Sequence, residues 1–216
     1  ECAKSLPEQV EENFSWAWKG QNLKKGLGVL GFNGWDVDVI DDGPQLPCVL
    51  PVRVNHAGQQ VFDLLAVWTV TSQKAFDSPY GAQITELIDT YSKALVAGNT
   101  LIAGDFNTSI QGPSSEEHRT NLDRLSRLGM ISAYHHGLGL DHGDELDRTL
   151  RWIGPGRTEY RYMCDFVFIP DRLLQDLSAR VERIWEGEHI GLSDHQPVVV
   201  DIPTAGSGNT WTASGD

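Results

Sequence analysis

Short apolar runs separated by Gly, Pro, Asn and Asp clusters dominate the first half of the chain: FSWAW (14–18), LGVLGF (27–32), VLPVRV (49–54) and VFDLLAVWTV (61–70). Runs of this length between turn formers read as strands. The period then changes. Ile84, Leu87, Ile88, Tyr91 and Leu95 recur at helical spacing, which predicts a helix over 83–97. A second helix is predicted over 115–128. Leu122, Leu125 and Leu128 form its stripe, Gly129 can end it, and Ser114 with Glu117 three residues on has the capping-box pattern. A strand at 100–104 falls between the helices, and further strands are predicted at about 148–153, 162–169 and 197–202. CDFVFIP and QPVVVDI are apolar at nearly every position, as suits strands covered on both faces. Many strands with a few helices outside predict a layered α/β sandwich. The stretch AGSGNTWTASGD is rich in Gly, Ser and Thr, so one domain over 1–203 and a flexible tail over 204–216 are expected.

Composition narrows the class. The chain has 216 residues, 40% of them hydrophobic and 9% aromatic, which suits a packed core rather than disorder. No apolar run approaches the roughly 20 residues needed to span a bilayer. Three cysteines, Cys2, Cys48 and Cys164, make no disulfide framework and point to a reducing, cytoplasmic setting. With 17 basic and 30 acidic residues the formal charge is −13. Such a surface repels polyanions on average, so any grip on phosphate must be local or metal-mediated. The chain opens Glu-Cys-Ala-Lys, without an initiator methionine or signal peptide, which reads as a processed chain or a fragment.

Candidate chemistry starts at LIAGDFNTS (101–109), where an apolar run ends on Gly104 and is followed by Asp105 and Asn107. Side chains two apart on an extended segment share a face, so Asp105 and Asn107 would project together while Phe106 enters the core. An Asx-type turn at a strand end is the alternative. In YMCDFVFI (162–169) one carboxylate, Asp165, interrupts an apolar strand. Buried, it needs a cation, a metal or a histidine, and His195 is a candidate; at the strand's end it could instead face solvent. Ser193, Asp194 and His195 are consecutive, so they cannot readily converge as a hydrolytic triad. Asp194 and His195 at a strand entrance could each reach a different partner, or form only a polar loop before Pro197. The stretch 148–162 interleaves Arg148, Arg151, Arg157 and Arg161 with Trp152, Tyr160 and Tyr162. It is either a hairpin that holds phosphates and stacks a ring, or an exposed hairpin with ordinary cross-strand pairs.

Two further patterns point away from function. Gly26, Gly28 and Gly31 match a dinucleotide fingerprint in spacing, but a polar segment precedes them and turn residues follow, so a glycine-tolerant strand is expected. His135, His136, Asp141 and His142 lie in AYHHGLGLDHG, whose spacing fits no familiar zinc signature, and a solvated loop is expected.

Taken in order, Gly104-Asp105-Phe106-Asn107, Asp165-Phe166-Val167-Phe168 and Ser193-Asp194-His195-Gln196-Pro197 resemble the motifs of the endonuclease/exonuclease/phosphatase family. Thr149 sits where many members have a threonine. The resemblance implies a four-layer α/β/β/α sandwich of two packed mixed sheets, with the site at one end. It implies Mg²⁺- or Mn²⁺-dependent hydrolysis of phosphoesters. Asp105, Asn107, Asp165 and His195 would be catalytic, and Glu1, Asp105, Asn107 and Asp194 would hold metal. The arginines Arg148, Arg151 and Arg161 would contact substrate. Nothing matches the asparagine of the family's opening strand, so Glu1 would be the metal-binding glutamate of a chain lacking that strand. Trp68 stands where a histidine is found in many members. The leading expectation is a monomeric phosphodiesterase, with DNA a possible substrate. The alternatives are an inositol-phosphate phosphatase, a sphingomyelinase-type enzyme, or a catalytically silent module.

Overall fold

Residues 2–5, 14–71, 78–112, 114–154, 156, 158–184 and 193–203 are described by the structure, a computed structural model. The predicted strands form where expected, with ends shifted by a few residues. They are β1 (Ser15–Asn22), β2 (Lys25–Gly31), β4 (Val49–His56), β5 (Gln59–Trp68), β6 (Thr100–Asp105), β8 (Leu150–Ile153), β10 (Asp165–Pro170) and β12 (Val198–Asp201). Helix α1 spans Tyr80–Val96 and α2 spans Ser115–Arg127. Short elements absent from the sequence reading are β3 (Trp35–Val39), β7 (Met130–Ser132), α3 (Ala133–Leu138) and β11 (Ser178–Val181). Strand β9 (Glu159–Tyr162) completes the expected hairpin with β8.

A six-stranded mixed sheet, ordered β3-β4-β5-β6-β10-β7, forms the centre. Among the described strands of this sheet only β5 and β6 run parallel, joined by the α1 crossover. Strand alternation splits the sheet's side chains between two cores. Leu65, Val67, Ile102, Phe166 and Phe168 face α1 and α2, and pack with Ile84, Leu87, Ile88 and Leu125. On the other face, the β1–β2 ladder packs Ala17 and Leu27 against Val52, Val54 and Ala66. The β11–β12 ladder packs Ala179 and Val200 near Leu101 and Ile169. Helices thus cover one face and strands the other, as a layered sandwich requires. Among the described residues, no helix is long and apolar enough to cross a membrane.

The glycines of β2 have a packing reason. A Cβ on Gly26 would lie 2.4 Å from the Trp18 ring, and one on Gly28 would lie 2.3 Å from the Trp16 ring. The dinucleotide spacing is therefore coincidental to a strand lying under two indoles.

Three expectations need correction. Ser114 does precede α2, but its φ is +56° and its side chain makes no cap hydrogen bond, so no capping box forms. The valines of β12 are half-buried, because among the described residues that strand pairs only with β11 and has the main sheet on one side. The segment AYHHGLGLDHG is not a solvated loop. It begins with α3, in which Tyr134 and His135 are buried at 0% and 5% exposure. The expected tail over 204–216, Glu1 and Arg157 lie outside the described residues.

Candidate active site

Three adjacent strand ends build the site. Alternation along β6 places Asp105 on the face of Leu101 and Ala103, away from the helices. Along β10 it places Asp165 on the face of Val167 and Ile169. The antiparallel register then sets Asp165 directly opposite Asp105. Both are half-buried, so two like charges face each other in a poorly hydrated place. Such a pair repels unless positive charge is supplied. Burial first, and the Asp165 charge second, push the Asp105 carboxyl well above the ordinary carboxylate range; His195 and the Asn107 N–H oppose the shift.

Gly104 is required at this junction. Its φ is +143°, and a Cβ there would sit 1.9 Å from the Val67 carbonyl oxygen. After Asp105 the chain sends Phe106 into the helix-side core, 2% exposed, against Phe166 and Phe168. Asn107 does not continue the strand. With φ +50° it folds back, and its backbone N–H donates to Asp105 Oδ1 at 2.8 Å. Its amide Nδ2 donates to Asp105 Oδ2 at 2.6 Å and to the Thr69 carbonyl at 2.9 Å. The Asx turn and the shared site are thus one arrangement, reached through a left-handed residue rather than an extended one.

His195 meets Asp165 as expected: Nδ1 lies 2.8 Å from Oδ2. Burial pulls the imidazole's pKa down, but the hydrogen bond to Asp165 and the charges of Asp165, Asp105 and Asp194 outweigh it and raise it to about 9. Backbone pairing fixes this loop. The Arg151 N–H donates to the Asp194 carbonyl at 2.8 Å, and the Gln196 N–H donates to the Thr149 carbonyl at 2.8 Å. The Thr149 hydroxyl oxygen, fully buried, accepts the N–H groups of Cys164 at 3.0 Å and Asp165 at 3.2 Å. One threonine therefore ties the histidine loop to the strand carrying its carboxylate.

These groups line a cleft of about 1000 Å³ that also takes in Gly28 and Leu30 of β2, Trp68, Tyr80, Trp152, Tyr162 and Asp194. The ligand atoms of Asp105, Cys164, Asp165 and His195 lie within 4.8 Å of one another. Burial, then the neighbouring carboxylate charges, raise the Cys164 thiol well above its ordinary value, so it stays protonated. The carboxylate oxygens are the donors a cation would use, and hard oxygen donors suit Mg²⁺ or Mn²⁺. Cys164 escaped sequence reasoning because it reads as one more apolar residue of its run. Tyr80 escaped it because the cleft gathers it from a helix start, whereas Trp152 and Tyr162, expected as hairpin aromatics, do line the cleft.

The predicted arginines are not brought into the cleft. In the β8–β9 hairpin, Leu150 pairs with Tyr162, Arg151 with Arg161, and Trp152 with Tyr160. Alternation gives the cleft Leu150, Trp152 and Tyr162, and turns Arg151 and Arg161 to the opposite face. There both donate to Glu159. Arg148 donates to the carbonyls of Glu145 and Asp147. Trp68 lines the cleft, with the Lys25 ammonium 5.4 Å from its ring centroid.

No family model matches the chain, and no curated protein matches it. Solved structures do. An AP endonuclease from Archaeoglobus fulgidus superposes with a TM-score of 0.62 at 16% identity, over 92% of this chain and 83% of that one. The endonuclease domain of TRAS1, a telomere-specific non-LTR retrotransposon, gives 0.60 at 15% identity, over 89% and 81%. An endonuclease/exonuclease/phosphatase from Bacteroides vulgatus gives 0.51 at 14%, over 89% and 77%. The six-stranded mixed sheet, its flanking helices and these superpositions agree: the chain has the fold of the endonuclease/exonuclease/phosphatase superfamily.

Proposed function

We propose that the chain is a divalent-metal-dependent phosphodiesterase, and that a nucleic acid is its substrate. The observation that carries this reading is the cross-strand pair Asp105–Asp165 at the cleft floor, with His195 bonded to Asp165 at 2.8 Å. Two carboxylates held together in poorly hydrated surroundings suit a cation, and a cation suits a phosphate.

The bound Mg²⁺ or Mn²⁺ would neutralise the phosphate and the charge growing on the leaving oxygen. Asp105, Asn107 and Asp194 would hold it, with Glu1. Asp105, its pKa raised by burial and by Asp165, is suited to take a proton from the attacking water. Asn107 is locked to Asp105 by two hydrogen bonds and would orient that water or a phosphate oxygen. His195 has Nδ1 engaged by Asp165, which leaves Nε2 for a non-bridging oxygen. With its pKa near 9 the ring is cationic at neutral pH and can donate to a developing oxyanion. Trp152, 45% exposed and stacked on Tyr160 at 5.3 Å, offers a base an aromatic platform at the cleft wall. Arg148, Arg151 and Arg161 would reach phosphates only outside the cleft.

The test is hydrolysis of an activated phosphodiester with Mg²⁺ or Mn²⁺. Asp105→Ala and His195→Ala should each lower kcat by about 10²-fold or more, and EDTA should abolish the activity. Full activity in either variant, or in EDTA, would refute the reading. A salt titration with duplex DNA as competitor then decides the substrate, since binding to a nucleic acid must weaken steeply with salt.

A further inference from the structure

A second polar cluster lies on the helix side of the sheet, against Phe166 and Phe168 of β10. His118 of α2, His135 of α3, and His142 and Glu145 of the following turn converge there. The ligand atoms of His135, His142 and Glu145 all lie within 4.8 Å of one another. His135 Nε2 and Glu145 Oε1 are 3.3 Å apart. His118 stands beside this set, its ring centroid 6.3 Å from that of His142, and the His135 and His142 rings stack at 3.6 Å.

A hydrogen-bonded core network is the alternative, and it fails at two atoms. Among the described residues, His118 Nε2 and His142 Nδ1 are the buried side-chain nitrogen or oxygen atoms without a hydrogen-bond partner. Both fall in this one cluster. Buried polar atoms are otherwise paired almost without exception, so two orphans facing the same group of imidazoles need a cause. The opposite ring nitrogens are placed as they are around metals. His118 Nδ1 pairs with the Thr108 hydroxyl at 2.9 Å, and His135 Nδ1 with the Ser132 hydroxyl at 2.7 Å. Such bonds fix ring orientation and leave the other nitrogen for an ion. Glu145 takes a further bond from the Gly143 N–H at 2.9 Å.

We propose that His118 Nε2, His135 Nε2, His142 Nδ1 and Glu145 Oε1 bind a structural Zn²⁺, separate from the catalytic cluster. Three imidazoles and a carboxylate are a four-ligand set of the kind Zn²⁺ prefers, and binding requires the His142 ring to swing off its stack on His135 while His118 Nε2 closes in on the other three. Tetrahedral bonds of about 2.0–2.1 Å separate ligand atoms by roughly 3.3 Å, the spacing already held by His135 and Glu145. Burial holds His118 and His142 at pKa values of about 4 and 3, so both are neutral and able to ligate at pH 7. A cavity of about 490 Å³, lined by Arg119, His135, His142 and Phe168, gives the ion an entry path. The ion would join α2, α3 and the 140–145 turn behind β10. Through Thr108 it would also brace the turn that carries Asp105 and Asn107.

The experiment uses the whole chain, stripped by chelator and desalted. Added Zn²⁺, held free at a thousand times Kd, should raise the thermal midpoint by about 10 °C, and Mg²⁺ should not. Metal analysis after gel filtration should show one tightly held zinc in wild type and in Asp105→Ala/His195→Ala, and none at this site in His142→Asn/Glu145→Gln. X-ray absorption at the zinc edge, on the Asp105→Ala/His195→Ala protein, reads the ligands without touching the cluster and should show imidazoles at about 2.0 Å. No tight zinc in wild type, zinc lost with Asp105 and His195, or an edge spectrum without imidazole would each overturn the proposal.

Discussion

Thr149→Val isolates the bond that joins the two halves of the proposed catalytic cluster. The Thr149 side chain is fully buried, and its oxygen accepts the N–H groups of Cys164 at 3.0 Å and Asp165 at 3.2 Å. Valine keeps the shape and removes the acceptor, so it strands two donors without opening a cavity. Each buried unsatisfied donor costs about 1–3 kcal/mol. The two share one oxygen and the second bond is long, so the sum falls at about 2–4 kcal/mol. For a chain of this size that lowers the thermal midpoint by about 5–15 °C. Thr149→Ser is the control: it keeps the oxygen and deletes one methyl, for about 1 kcal/mol.

The same change should loosen the site. The Thr149 carbonyl holds the Gln196 N–H at 2.8 Å, so residue 149 fixes both the His195 loop and the start of β10. Displacing Asp165 from His195 by a fraction of an ångström should lower kcat by about ten- to a hundredfold, with little change in KM. Urea denaturation and phosphodiester hydrolysis on wild type, Thr149→Ser and Thr149→Val read both effects. If packing rather than hydrogen bonding mattered at 149, valine would match or exceed serine in stability. That ordering would refute the reasoning.

Three further outcomes follow from the geometry. Gly104→Ala should destabilise by about 3 kcal/mol or more, because φ is +143° and the new methyl meets the Val67 carbonyl at 1.9 Å; a denaturation midpoint within experimental error of wild type would exclude it. Cys48 and Cys164, 4% and 0% exposed and with thiol pKa values raised by burial, should resist a thiol reagent in the native protein and react once it is unfolded; fast native labelling of either would contradict their placement. His195 has a folded pKa raised to about 9 from an unfolded value near 6.5, so in EDTA its pairing stabilises fully below about pH 6.5 and is lost as pH rises through 9. Midpoints measured from pH 6 to 10 should fall for wild type and stay flatter for Asp165→Asn; parallel curves would dissociate the pair from stability.

Sequence patterns located β4, β5, β6, β10 and both long helices because each carries a one-sided or fully apolar period longer than any competing signal. The same patterns missed β3, β7, α3 and β11, which are six residues or fewer and owe their form to neighbours in the fold. Asp165 was readable as a carboxylate seeking a partner, since an apolar run makes a lone charge conspicuous. The histidine cluster was not, since His118 lies on a different helix from His135 and Glu145 falls ten residues beyond His135. Spacing alone tests ligands within one segment and cannot see a set assembled by α2 packing over β10. The arginines misled for a related reason. Their number suggested phosphate binding, but hairpin register decides the face, and it places Leu150, Trp152 and Tyr162 on the cleft.

The site should also be a stability liability that one substitution relieves. Asp105 faces Asp165 across paired strands, and burial with that neighbouring charge raises its pKa. In the unfolded chain the carboxylate is hydrated and alone, so at pH 7 without metal its charge favours unfolding; acidification through the raised pKa removes the penalty. Asp105→Asn keeps an acceptor for the Asn107 N–H and removes the charge. It forfeits the Asn107 amide bond at 2.6 Å, because an amide nitrogen would then face a donor. The charge relief should exceed that loss, giving a gain of about 0.5–2 kcal/mol in EDTA while activity disappears. Saturating Mg²⁺ should shrink or reverse the difference, because only the protein that keeps the Asp105 carboxylate would hold the ion tightly, and binding stabilises the state that binds. Urea titrations of both proteins, with EDTA and with Mg²⁺, measure this. If Asp105→Asn is the less stable protein in EDTA, the carboxylate pair is not in conflict, and the case that it awaits a cation loses its physical basis.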